Sequence, residues 1–231
     1  MKTLSKSALN VSGQPMFRIL DKAEKLESEG KKIIHFELGE PQFDTPKNIV
    51  DAAIKSLQNG DTHYVNSYGK YSLREMVQDT TFQSRDFKPD INQILVTPGA
   101  NAIIFLAMSC LVNPGDEIII PDPGFPTYIS TAKFIGAKIV TVPLHEDNAF
   151  RLNPDDLRSK ITSKTRLIII NSPSNPTGSL IDPDELIEIA KIAEEKDIYL
   201  LSDEIYARMV FGEPEKFFSI GLQDACKKRI I

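Results

Sequence analysis

The chain of 231 residues is 41% hydrophobic, 8% aromatic and 26% charged, a balance that excludes disorder, collagen-like repeats and a disulfide scaffold. Its 27 Lys+Arg against 32 Asp+Glu give a net charge of −5, so it lacks the basic surplus with which a nucleic-acid binder neutralises phosphates. Cys110 and Cys226 read as reduced thiols, no apolar run approaches the ~18–20 residues of a bilayer span, and the polar N-terminus has no signal-peptide centre, so the expectation is a cytoplasmic protein with no membrane or nucleic-acid partner.

Along the chain, an amphipathic helix is expected around Phe17 to Glu29, followed by the run Lys32-Ile33-Ile34-His35-Phe36. Thr45-Pro46 should open a second helix carrying Ile49, Ala52, Ala53 and Leu57, closed by Asn59-Gly60. Ser72-Leu73-Arg74-Glu75 reads as a capping box at the start of a third. Five short runs then follow, at 94–97, 117–120, 138–142, 167–170 and 198–201. Four of them are nearly all apolar rather than alternating, the pattern of strands in a parallel sheet buried on both faces. Between the last two, Asp182 is a plausible N-cap with Pro183 first in the helix, Glu185 third, and Leu186, Ile189, Ala190 and Ala193 along one side. Strand alternating with helix predicts an α/β doubly wound fold, a mostly parallel sheet between helical layers. Residues 1–42 precede the alternation and read as a separate piece, leaving 43–231 as the larger domain.

Ligands in such sheets bind beyond the carboxyl ends of the strands, so the residues after each run carry the functional reading. Gly99-Ala100-Asn101 opens an apolar helix with small residues that would let a phosphate reach free amides. Pro121 to Tyr128 is a stiff loop presenting Phe125 and Tyr128, either a stacking platform or a buried loop anchor. Asn171 to Gly178 is rich in turn formers and contains Asn175. Asp203 sits at the end of an apolar strand, where a carboxylate is costly without a partner, and no basic residue adjoins it in sequence. A site for a flat, phosphorylated, cationic heterocycle would explain all four strand ends together.

Three segments, Gly39-Glu40-Pro41 to Pro46, Asn171-Ser-Pro-Ser-Asn175-Pro-Thr-Gly178 and Ser202-Asp203-Glu204-Ile205-Tyr206, resemble the class I/II aminotransferases, the fold-type-I pyridoxal-phosphate enzymes that include the aspartate and aromatic transaminases. The resemblance implies a large cofactor domain, with residues 1–42 contributing to a small one, and amino-group transfer from an amino acid to a 2-oxo acid. It implies that Asp203 pairs with the protonated ring nitrogen of pyridoxal phosphate, that Tyr206 and Asn175 donate to its phenolic oxygen, and that Phe125 stacks on the ring. The Gly99, Ala100 and Asn101 amides would cradle the phosphate. Tyr64 would reach the phosphate bound by the neighbouring subunit of a homodimer. Gly39, Phe125 and Asn175 would lie near the substrate.

In this family a lysine forms the Schiff base with the cofactor, in a segment expected just beyond Ile231. Lys227 and Lys228 do not match its motif and read as a solvated basic turn; Lys70 likewise reads as a surface residue. The expectation is a partial record of a transaminase. A lyase or synthase of the same fold and an inactive remnant stay open as alternatives. No Gly-x-Gly-x-x-Gly supports a nicotinamide dehydrogenase, and His35, His63 and His145 lack partners at metal-ligand spacing.

Overall fold

A run in which every residue is apolar can be buried only if both faces of its sheet are covered. The computed structural model, which describes residues 2–11, 13–211 and 217–231, has that arrangement. In chain order its helices are α1 (Lys6–Leu9), α2 (Pro15–Ser28), α3 (Lys47–Gln58), α4 (Tyr71–Arg85), α5 (Ala100–Leu111), α6 (Pro126–Ile135), α7 (Pro154–Lys160) and α8 (Pro183–Lys196). The strands β1 (Glu117–Asp122), β2 (Lys138–Pro143), β3 (Thr165–Asn171) and β4 (Tyr199–Asp203) form one parallel sheet in the order β2-β1-β3-β4.

Successive strand residues point to opposite faces, and the core divides accordingly. Ile118, Ile120, Leu167, Ile169 and Leu201 pack with Ile104 and Met108 of α5 and Tyr128 and Ala132 of α6. Ile119, Ile168, Ile170 and Leu200 pack on the other side with Leu157 of α7 and Leu186, Ile189, Ala190 and Ala193 of α8. Each such side chain contributes roughly 1.5–3 kcal/mol of burial free energy. At the start of α8, Asp182 takes the N-cap position, and Glu185 reaches back to accept its backbone N–H at 3.1 Å.

Three local expectations differ from the structure. Ile94–Thr97 pairs with no strand among the described residues and follows a short 3-10 turn as extended chain. Ile94 is buried but Leu95 is 51% exposed, so the apolar run marks partial burial rather than ladder formation. Helix α4 begins at Tyr71, which puts Ser72 inside the first turn instead of at the cap. Helix α3 has Pro46 rather than Thr45 at its N-cap.

Contacts group the chain into two compact units, Met1–Ser12 with Tyr71–Ile231, and Gly13–Lys70. That division falls near residue 70, later than the boundary at 42 drawn from sequence character. The sheet lies in the first unit. Among the described residues no helix is long and apolar enough to cross a membrane.

In the second unit, Met16, Ile19, Ala23 and Leu26 of α2 line a groove with Ile33 and Phe36. Beside it His35 contacts Glu37 through Nδ1 at 2.5 Å and Glu27 through Nε2 at 3.0 Å. These carboxylates, Glu37 foremost, raise the His35 pKa from 6.5 to about 9. Because the folded value is raised, the stabilisation is complete below pH 6.5 and is lost as pH rises through about 9. A proton NMR titration should place the His35 midpoint near 9, and Glu37→Gln should move it back toward the ordinary range. An ordinary midpoint in the unaltered chain would refute the contact.

Candidate functional site

The carboxyl ends of parallel strands share one edge of the sheet, and here two of them are level, since Asn171 of β3 lies opposite Asp203 of β4. Around them is a cavity of about 190 Å³ whose walls include Ala100, Asn101, Phe125, Asn175, Asp203 and Tyr206. Six of the residues selected from sequence therefore meet at one place. Gly99 is the N-cap residue directly before Ala100. Gly39 and Tyr64 belong to the second unit, where both are exposed.

The carboxylate of Asp203 is held by neutral donors. Its Oδ2 accepts from the Tyr128 hydroxyl at 2.6 Å and its Oδ1 from the Ile205 N–H at 3.2 Å. Among the described residues no cation pairs with it, so its negative charge faces the cavity uncompensated. Tyr128 is fully buried, and burial, followed by the nearby charge of Asp203, pushes its hydroxyl far above the usual range. It therefore stays protonated and acts as a fixed donor.

Asn171 ties the two strand ends together. Its side-chain nitrogen donates to the Asp203 carbonyl at 3.0 Å, and its oxygen accepts the Asn175 N–H at 2.7 Å. Asn175 in turn donates to the Tyr206 hydroxyl at 3.4 Å. Sequence reasoning gave no role to Asn171, although a polar residue closing a buried strand was the same signal that singled out Asp203. Tyr128 was noticed, but its partner lies 75 positions away, which no local pattern reveals.

The apolar wall depends on a tight loop. A Cβ at Gly124 would sit 2.4 Å from the Pro121 carbonyl oxygen, so only glycine lets the chain double back between β1 and α6. Phe125 emerges from this turn as the N-cap of α6, with its ring edge-on to Tyr128 at 5.7 Å. Opposite in charge character is the start of α5. Gly99 has φ 86° and ψ 161°, a conformation essentially restricted to glycine; its own N–H donates to the Thr97 carbonyl at 2.8 Å and so is not the free amide expected from the sequence, and it leads into the Ala100 and Asn101 amides that open the helix. Those amides and the helix dipole favour an anion.

A half-buried carboxylate, an aromatic ring, an amide–phenol pair and a helix N-terminus suit a flat ligand that carries a cationic ring atom and an anionic group. No lysine lines the cavity among the described residues. Lys227 pairs with Asp224 and Lys70 with Asp61, both on the surface. No group of three potential metal ligands occurs among the described residues.

The family model "Aminotransferase class I and II" matches residues 31–230. The chain belongs to this family. It is 39% identical to an aspartate aminotransferase of Sulfolobus acidocaldarius over 216 residues, which is 91% of this chain and 54% of that protein. It is 41% identical to the (5-formylfuran-3-yl)methyl phosphate transaminase of Methanocaldococcus jannaschii, covering 99% of this chain and 58% of the other. The structure of an aspartate aminotransferase from Thermus thermophilus with maleate superposes with a TM-score of 0.94 at 29% identity, over all of this chain and 59% of that one. The chain thus spans a little over half the length of the aminotransferases it matches. Its parallel sheet between helical layers is the fold-type-I architecture expected from the sequence motifs.

Proposed function

We propose that this class I/II aminotransferase chain binds pyridoxal 5'-phosphate in the cavity and serves amino-group transfer from an amino acid to a 2-oxo acid, in a homodimer. The observation that carries the reading is Asp203, a carboxylate at the base of a cavity with only neutral partners, which a protonated pyridine nitrogen would complete. When bound, this cofactor supplies an electron sink for the carbon that loses its proton. The chain's residues hold and polarise it. Asp203, fixed by Tyr128 and the Ile205 amide, keeps the ring nitrogen cationic. Asn175 and Tyr206 donate to the phenolic oxygen, and Phe125 covers the ring. The first-turn amides of Ala100 and Asn101 take the phosphate, and Gly99, whose own N–H donates to the Thr97 carbonyl at 2.8 Å, shapes the approach to them. The resemblance to the family assigns Tyr64 to the phosphate of a partner copy and Gly39 to the substrate carboxylate.

With no lysine on the cavity wall among the described residues, the 231-residue chain should hold the cofactor reversibly. Titration with pyridoxal phosphate followed by borohydride reduction and mass spectrometry should give saturable binding without stoichiometric label on any single lysine. No saturable binding would remove the cofactor reading, and a single stoichiometrically labelled lysine would overturn the noncovalent one.

A further inference from the structure

Glu204 stands in the chain between the two residues that the proposed cofactor site relies on most, Asp203 and Tyr206, yet its carboxylate does not line the cavity. It is gripped from two remote segments and from the end of its own strand. Arg85, the last residue of α4, donates from Nε to Oε2 at 2.6 Å and from Nη2 to the Glu204 carbonyl at 3.2 Å. Ser219 and Ser202 donate to Oε1 at 2.7 and 3.1 Å. The same carbonyl accepts the Ala207 N–H at 3.0 Å and so closes the turn that carries Tyr206. The Arg85 and Glu204 side chains are only 20% and 12% exposed, Ser219 is buried, and the guanidinium lies 6.0 Å from the ring of buried Phe217.

An ion pair this enclosed is a poor source of net stability, because desolvation offsets the attraction, but its several directional bonds hold the groups in one geometry. What it fixes here is one peptide unit. Both carboxylate oxygens and the carbonyl of Glu204 are tied to elements outside β4. A small rotation of that unit would draw Asp203 off the Tyr128 hydroxyl and the Ile205 amide, and would carry Tyr206 away from Asn175.

We infer that the Arg85–Glu204–Ser219 cluster is a positioning device for the Asp203 carboxylate: without touching the ligand, it sets the directions of Asp203 and Tyr206. The inference rests on the reading of the cavity as a pyridoxal-phosphate site. Glu204→Gln keeps the volume but removes the charge, and Arg85→Lys keeps the charge but loses the two-point grip on carboxylate and carbonyl. Arg158→Ala, which breaks an exposed pair with Glu188 and Glu195, is the control. Three quantities are read on the full chain. They are the dissociation constant for pyridoxal phosphate, the unfolding midpoint without it, and the NMR shift of its isotope-labelled ring nitrogen as pH is raised.

Both cluster variants should bind about tenfold more weakly and release the ring proton about one pH unit earlier than the unaltered chain. Arg158→Ala should change neither. Should Glu204→Gln fail to fold, Arg85→Lys decides alone. Variants that lower the unfolding midpoint but keep the unaltered affinity and ring-nitrogen profile would reduce the cluster to ordinary stability and overturn the inference. If the unaltered chain itself does not bind, the cavity reading falls and the inference with it.

Discussion

Asp203→Asn should weaken pyridoxal-phosphate binding about 100-fold while the chain still folds. The substitution keeps the volume and one acceptor oxygen, so either the Tyr128 hydroxyl or the Ile205 amide can still be satisfied. The other then meets an NH2 group, at a stability cost of about 1 kcal/mol. Loss of the charge is the larger effect. Truncating one side of a partly buried, hydrogen-bonded charge pair costs roughly 2–5 kcal/mol, and about 3 kcal/mol corresponds to the 100-fold figure. Fluorescence titration gives the affinity and circular dichroism the fold. An unchanged dissociation constant would take Asp203 out of the site, whatever the cavity binds.

Gly124→Ala should lower stability by about 3 kcal/mol, the upper end for forcing an extra methyl into a packed place. The new carbon would start 2.4 Å from a backbone oxygen of Pro121, which cannot rotate away as a side chain could. The loop must open, and Phe125 moves with it because it is the next residue and the N-cap of α6. The unfolding midpoint should fall by roughly 6–12 °C for a unit of this size. Pyridoxal phosphate should also lose the ring that covers it, so affinity and stability fall together. A midpoint within about a degree of the unaltered protein would show that the loop accommodates the methyl without strain.

Much of this was legible in the sequence, because the dominant signals are local. Near-continuous apolar runs at 117–120, 167–170 and 198–201 report burial on both faces, whereas 138–142 forms the edge strand β2, in which only Val142 is buried; each of the four gives rise to a strand of the one sheet. Asp182, Pro183 and Glu185 mark a helix start through short-range hydrogen bonding alone. Phe125, Asn175, Asp203 and Tyr206 were found because they follow such runs, and topology brings strand ends together. What stayed hidden depends on partners remote in sequence. Ile94–Thr97 has the composition of a strand, but a strand exists only where a neighbour supplies the ladder. Tyr128 and Arg85 act on residues 75 and 119 positions away, and neither distance leaves a trace in periodicity. Asn171 was hidden differently: it stood in plain view inside a turn-rich stretch whose bland reading absorbed it.

The hydrogen bond from Tyr128 to Asp203 also has a temporal meaning. A contact between residues so far apart carries the entropic cost of closing the intervening chain, a cost that slows folding. Strands β2 and β3 and helices α7 and α8 lie between the two partners in the chain, so the cavity closes only when β4 has docked beside β3. A molecule lodged there touches residues from both ends of that sequence of events. It has little to hold while the chain is still collapsing, and it resists the separation of β4 once the sheet is complete. Such a ligand would act on the lifetime of the folded chain, slowing its loss and leaving the speed of its formation almost unchanged.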